Sequence, residues 1–421
     1  MPEPRALFER VAFEDRPLVV DPLATYPLAA GGERSADVLI LFRDLAQGEP
    51  TDPLRAAAQD LLRVDPSFHP ASLIVAQTYF VDGDFAAAVR TLDPVVEQVA
   101  DYPAAQLLLG CSAEKVGEVV RAVEAYGATG SLRPIAEERL ETLLPVAEGI
   151  VARRIEDALR RGRPEIAREE LERLRRWSPE SPVALESWRS IAVAEENPKE
   201  ELVAVRALRE LYPEERSLLA DQADLELSVG DPRAGLEIYQ SLSAEFPEDE
   251  QLRLDVARAK FRWRVSQLPA EVREAGAKAA LSRADHALLL YWVAPPVRYG
   301  RPGAGRIASD ILDHPHREAI ARVVNLGLMR LQTSVHRFEP EEEVTRLEVL
   351  ESLLRIGATD RRPAACLTGI ESNRRPSSSF VCEVAARCGL IASSSDCLPS
   401  GTVSGTEDLE LIRRGLLLLG S

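Results

Sequence analysis

Aromatic residues are scarce: Phe, Trp and Tyr make up 5% of 421 residues, and there are two methionines. A sandwich or barrel of aromatic and β-branched strands is therefore not expected. Ala, Leu, Val, Glu and Arg dominate instead, a helix-forming mixture that predicts an all-α chain. Long apolar runs are missing too. The stretch 287–293 is among the longest, far short of the roughly 20 residues a membrane span needs. There is no phosphate-binding Gly-rich loop, no G-x-S-x-G and no H-E-x-x-H, so no familiar catalytic motif is present and an enzyme is not expected, an enzyme on a helical scaffold standing only as the second alternative. The glycines of GRPGAG (300–305) follow no strand and read as a linker. No cofactor is implied.

Cysteine is sparse and unevenly placed. Cys111 stands alone, whereas Cys366, Cys382, Cys388 and Cys397 cluster near the end. No C-x-x-C pair occurs, which speaks against zinc. Two disulfides in an oxidising compartment and four buried thiols both suit this spacing. The pair His314 and His316 lacks a carboxylate or cysteine pattern around it and reads as a loop and helix cap. The first twenty residues carry acids where a secretory leader has its apolar stretch, which on its face places the chain in the cytoplasm.

The net charge of −17 is lopsided: residues 1–250 hold 48 acids and 27 bases, residues 251–421 hold 20 and 24. An acidic front half repels nucleic acid and suits a basic partner. The milder back half tolerates an anionic polymer.

What the chain has in quantity is repetition. Pro179, Pro213 and Pro247 recur every 34 residues, each one or two positions after a bulky residue (Trp177, Tyr212, Phe246). The residue before a proline is pushed out of helical geometry, so each proline predicts a helix end. Turn signals fall in phase at Gly83, Gly117, Gly162 and Gly230. Five residues later come the small residues Ala88, Ala122, Ala167 and Gly235, then the larger Leu92, Tyr126, Leu171 and Tyr239. Ala76 and Gly110 supply smallness on the facing helix. The interval from Pro134 to Pro179 is longer, 45 residues, which predicts an extra short helix at 135–147.

These landmarks resemble the tetratricopeptide repeat (TPR) family, most clearly in LIVAQTYFVDGDFAAAVRTL (73–92). The likeness covers roughly 36–250 and implies stacked helical hairpins forming a solenoid. It places Gln77, Phe80, Glu114, Glu156, Glu186, Ser190 and Asp224 on the groove-lining face of the first helices. The Lys and Asn clamp by which some members hold a terminal carboxylate is replaced here by Glu, Gln, Ser and Asp. A basic protein partner is implied.

The back half repeats at a longer period. Ser282–Asp285, Thr345–Glu348 and Ser404–Glu407 each pair a hydroxyl with an acid three residues on, before an apolar run. This is the signature of a capping box. Helices preceding the second and third boxes end at Gly327 and Gly389, while the first copy is shortened around Gly276. This half resembles three degenerate S-layer homology (SLH) motifs. The middle copy matches at Asp310, His314, Gly327, Phe338, Pro340, Thr345, Arg346 and Glu348; the third at Gly389, Pro399, Val403, Ser404 and Glu407; the first at Ser282, Arg283 and Asp285. The resemblance implies a pseudo-threefold helical unit and, as the alternative function, attachment to cell-envelope polysaccharide. Arg283, Asp310 and Arg346 are the ligand contacts it leaves. Pro315 replaces the family's tryptophan, the loop 330–337 lacks its Gly-Tyr-Pro-Asp-Gly turn, and Gly405 replaces the third arginine. The expected organisation is an N-terminal arm (1–35) packing on its own or another surface, a solenoid (36–250), and three motifs (251–300, 301–360, 361–421). Protein-interaction scaffolding, by itself or within a larger assembly, is the expected function.

Overall fold

The computed structural model describes residues 20–23, 25, 26, 33–301, 305, 307–331, 336–358, 364–370, 376–397 and 400–417. Residues 302–304 of the expected linker and Pro399 lie outside these residues, as does most of the arm. The described chain is all-α, without a strand, and divides into two compact units, Met1–Leu218 and Leu219–Ser421.

The first unit is a series of antiparallel hairpins. Helices α1 (Glu33–Gln47), α2 (Thr51–Val64), α3 (His69–Val81), α4 (Phe85–Gln98), α5 (Pro103–Lys115) and α6 (Val119–Gly127) lead to the long α7 (Arg133–Arg160). Then follow α8 (Pro164–Trp177), α9 (Pro182–Ala194) and α10 (Pro198–Leu211), and α11 (Arg216–Ser228) crosses the division. Neighbouring helices pack along the series from α1 to α10. Starts are set by proline at the first helical turn and by caps: Asp84 accepts from Ala87 N–H (3.0 Å), Ser181 from Ala184 N–H (3.2 Å). The 34-residue period is visible in the ends, because Ser178 and Tyr212 leave helical geometry just before Pro179 and Pro213.

The small residues are where the hairpins close. A Cβ on Gly110 would sit 2.6 Å from the Tyr126 ring, and Ala88, Ala122 and Ala167 are fully buried. Residues 135–147 do not form a separate short helix. They are the first half of α7, with Pro145 inside it. Ala147 and Val151 are fully buried just beyond that proline, so packing carries the helix across the lost hydrogen bond.

The hairpin turns place Gly83, Gly117 and Gly162 at φ of 81°, 81° and 67°, whereas the α9–α10 turn forces Glu196 to 53°. A side chain there costs about 1–2 kcal/mol, of which glycine gives back part in chain entropy. Glu196→Gly is expected to raise stability by roughly 0.5–1 kcal/mol. A lower denaturation midpoint in the variant would show that Glu196 is kept for another contact.

The second unit opens with α11, α12 (Pro232–Glu245) and α13 (Glu250–Ser266). Gly235 lets α12 approach α11, since a Cβ there would meet the Ala223 carbonyl at 2.7 Å. The expected boundary at residue 250 is displaced because α13 faces two ways. Leu252 and Ala259 join Tyr239 and Leu242, while Phe261, Val265 and Leu268 enter the C-terminal core.

That core gathers α14 (Ala270–Ala277), α15 (Arg283–Val293), α16 (Pro295–Tyr299), α17 (Arg317–Asn325), α18 (Arg346–Ala358), α19 (Ser378–Arg387) and α20 (Gly405–Leu417). Helices α15, α18 and α20 begin at the three capping signals. Ser282 and Asp285 form a full box, as do Thr345 and Glu348. In the third, Ser404 Oγ accepts from Glu407 N–H at 3.2 Å. Gly327 and Gly389, both at φ 71°, end α17 and α19.

The segments before the three caps join in a closed ring of main-chain hydrogen bonds. Val344 N–H donates to Leu281 O, Leu281 N–H to Val403 O, Arg346 N–H to Gly401 O and Arg283 N–H to Glu342 O, all within 2.8–2.9 Å. Gly405 N–H donates to Lys278 O at 2.8 Å and closes the circle. Leu281, Val344 and Val403 meet inside it, fully buried. Two disulfides, Cys366–Cys388 and Cys382–Cys397, tie the third copy.

Candidate functional site

The groove-face residues of the first unit fall into two environments. Gln77, on α3, is fully buried and holds another part of the chain. Its Nε2 donates to Val20 O (2.6 Å), and Val20 N–H donates to its Oε1 (3.1 Å). The segment continues onto α5: Tyr102 hydroxyl donates to Pro22 O (2.5 Å), Ala104 N–H donates to Thr25 Oγ1 (3.1 Å), and Tyr26 meets Tyr102 edge-on at 5.1 Å. Phe80 is buried beside Phe85 in the same apolar cluster as Val20. Residues of the arm thus occupy this part of the expected groove.

Glu114 is also engaged, accepting from the Tyr126 hydroxyl (2.8 Å) and pairing with Arg139 of α7. Its neighbourhood is the added length of α7, which turns this position inward. Glu156 is exposed. Asp224, in the second unit, is exposed but accepts from the Tyr239 hydroxyl (2.6 Å) and pairs with Arg258 (2.7 Å).

Glu186 and Ser190 come together in an open groove. Both are exposed on α9, one turn apart. With Arg189 and Val193, and with Leu208, Tyr212, Glu215, Ser217 and Leu218, they line a cavity of about 740 Å³. Val193 and Tyr212 are 53% and 43% exposed, large apolar surfaces left uncovered. Arg189 is held by Glu201 at 3.7 Å.

Behind this groove α9 is braced against α8 and α10. Arg168 bridges Glu195 and Glu200, and Glu200 also accepts from Trp188 Nε1 (2.6 Å). The Arg168 hydrogen bond, more than any other influence, draws the Glu200 carboxyl down to about 2. A depressed carboxyl stabilises the fold above its ordinary value near 4.5, and that contribution disappears as pH falls toward 2. Solvent screens the pair, so Glu200→Gln is expected to lose about 1 kcal/mol at pH 7. The gap between variant and parent closes between pH ~4.5 and ~2 in denaturant titrations. A gap unchanged with pH would remove the ionic explanation.

Of the C-terminal ligand candidates, Arg283 and Arg346 join one copy to the next, and Asp310 holds a turn within its own copy. Arg283, 11% exposed, donates to Phe338 O and Arg330 O at 2.8 Å each, pairs with Glu348 and lies over the Phe338 ring. Arg346 repeats the device one copy on, pairing with Glu407 and donating to Asp396 O at 2.9 Å. Asp310 accepts from the N–H groups of Phe338 and Glu339 at 2.8–3.1 Å, which also sets its carboxyl below the usual range against the opposing effect of burial. All three expected contacts are therefore occupied by the unit's own chain. At the third junction Gly405 stands where the arginine would be. A Cβ there would collide with the backbone of Ala275 and Gly276. Lys278 takes over, holding Asp285 at 2.8 Å.

One constellation has no local sequence signal. His286 Nδ1 lies 2.8 Å from Asp408 Oδ2 and its Nε2 lies 2.8 Å from Ser352 Oγ. The order Ser–His–Asp suits nucleophilic catalysis in an open site. Here all three are fully buried, and Ser352 Oγ donates to Val349 O, so the trio ties α15, α18 and α20 together. His314 Nδ1 accepts from His316 N–H (3.0 Å) in the loop before α17, a local contact that leaves that helix without a side-chain cap. Among the described residues no group of His, Cys, Asp and Glu is placed to hold a metal ion, and no helix is long and apolar enough to cross a membrane.

No family profile and no curated relative matches the chain. Among solved structures, it is similar to the TPR domain of P58(IPK), with 15% identity and a TM-score of 0.28 over 91% of this chain and 90% of that one. It is similar to a thermophilic TPR protein of Thermus thermophilus (18% identity, TM-score 0.18, 53% of this chain and 97% of that one). A third similarity is to PilW, a type IV pilus biogenesis factor (14% identity, TM-score 0.24, 53% and 99%). Scores this low add nothing to the hairpin geometry itself, which makes the chain an all-α helical-hairpin protein.

Proposed function

We propose that the chain is a non-catalytic interaction scaffold that takes a basic segment of a protein partner in the groove of α9, α10 and the start of α11. The observation that carries this reading is the groove's lining: exposed Val193 and Tyr212, flanked by Glu186 and Glu215. Apolar anchors with an acidic rim suit a peptide that alternates large apolar and basic residues. The acidic excess of residues 1–250 supports the same charge preference.

The test compares two labelled peptides of equal apolar content, one lysine-rich and one glutamate-rich, by fluorescence anisotropy on the full chain. The basic peptide is expected to bind at low salt, weaken as salt rises, and lose affinity at least tenfold on Glu186→Lys with Glu215→Lys. Equal binding of both peptides would sink the reading.

A second reading, attachment to envelope polysaccharide through the C-terminal unit, has the two disulfides in its favour, since such bonds persist in oxidising compartments. The engagement of Arg283, Asp310 and Arg346 weighs against it. Co-sedimentation of the oxidised chain with isolated envelope tests it directly, and a chain left wholly in the supernatant ends it.

A further inference from the structure

The cradle around Gln77 lies apart from the open groove and already holds a chain. What it recognises is mostly main chain. Gln77 takes both polar atoms of Val20, a reciprocal pair like a rung of a β-ladder, and Tyr102 takes the carbonyl of Pro22. Any extended segment offers those atoms. Side-chain selectivity enters at few points. Val20 is fully buried and belongs to the apolar cluster that also holds Leu73, Ala76 and Phe80. Leu23 reaches the neighbouring cluster of Ala71, Ile74 and Val75, and Tyr26 leans on Tyr102. Between them Asp21 shapes the segment, its Oδ1 accepting from Leu23 N–H at 2.9 Å. An aspartate before proline that accepts from the residue two on makes a self-contained turn, so the segment brings much of its bound shape with it.

Gln77 also sits on the face that the repeat phase marks for ligand contact. A buried primary amide costs about 1–3 kcal/mol when left unpaired. The cradle therefore favours exchange of one chain for another over standing empty. A segment carried by the same chain has an effective concentration in the millimolar range, so a partner must either bind tightly or meet a loosened arm.

We propose that residues 20–23, 25 and 26 are an exchangeable resident of this cradle. A partner segment with the same chemistry displaces them: a branched apolar residue, then an Asp-Pro turn, then a large apolar residue. The arm is then a competitor in cis, and its release exposes a second peptide site distinct from the acidic groove.

The probe is a fluorescein-labelled peptide of sequence Val-Asp-Pro-Leu-Ala-Thr-Tyr, added to the full chain. Val20→Asp places a charge in the apolar pocket and loosens the resident. That variant is expected to bind the peptide at least tenfold more tightly than the parent, and a scrambled peptide is expected not to bind. Adding Gln77→Ala to Val20→Asp is expected to abolish uptake. Should Val20→Asp lose its helical circular dichroism, Thr25→Ala with Tyr26→Ala loosens the rim of the segment instead, with the same expectation. A folded loosened variant that takes up no peptide overturns the proposal, as does equal uptake by variant and parent. A parent that dimerises with concentration and becomes monomeric on loosening would assign the cradle to a second copy's arm, and also overturns it.

Discussion

Opening the Cys382–Cys397 bond by Cys382→Ala with Cys397→Ala is expected to destabilise the second unit by about 3 kcal/mol, from a loop whose ends lie 15 residues apart. For a unit of this size that is a fall on the order of 10 °C in melting midpoint. Cys366–Cys388, with its ends 22 residues apart, is expected to contribute a similar amount. The loops interlock in sequence, because Cys382 lies inside the first and Cys388 inside the second. Losing both is therefore expected to cost less than twice as much as losing one. The third copy is where such staples matter. Its described part holds α19, α20 and two short 3-10 turns, and the disulfides join α19 to both turns. Thiol titration of the denatured, unreduced chain is expected to find one reactive sulfur of the five. That one is Cys111, whose thiol burial pushes up to about 11 in the folded state. Five reactive thiols before reduction would refute the bonded arrangement.

Arg283→Ala is expected to cost about 3 kcal/mol, since it strands a carboxylate and two main-chain carbonyls at one junction. Lysine is not expected to rescue it, because one ammonium cannot reproduce the planar fork that reaches Phe338 O, Arg330 O and Glu348 together. Arg346, more exposed at 26%, is expected to cost about 1 kcal/mol on the same change. Chemical denaturation of the two variants separates the roles. A ligand-contact arginine would leave the midpoint where it was, whereas a junction arginine lowers it in the order Arg283 before Arg346.

The features legible in the sequence were those set by neighbours along the chain. Pro179 and Pro213 marked helix ends because a proline acts on the residue before it. Ser282, Thr345 and Ser404 marked helix starts because a cap works within one turn. Gly110 and Gly235 were readable as close approaches from the repeat phase alone. The unreadable parts depended on distant partners. Gln77 was expected on the groove-lining face, and nothing in a 34-residue period says that its amide is taken by Val20, 57 residues earlier. The role of His286 had no local signal, since its partners lie 66 and 122 residues away. The 45-residue interval suggested a separate short helix at 135–147, which is instead the first half of α7, continued past Pro145 by buried Ala147 and Val151. The replacement of an arginine at 405 by Lys278 was invisible for the same reason: the substitute comes from another copy.

The ring of capped helices has a consequence for the order of events during synthesis. The front hairpins each complete themselves with the next few dozen residues to emerge. The ring joins its first copy to its last, through Lys278 and Gly405 and through His286 and Asp408. A ribosome therefore releases the first copy long before its partners exist, and α15 must wait with a polar histidine on the face it will bury. Closure is expected to be the late, slow step, because long-range contacts are made only after the intervening loop has been gathered in. A chain stopped short of α20 would keep its hairpins and lose its circle.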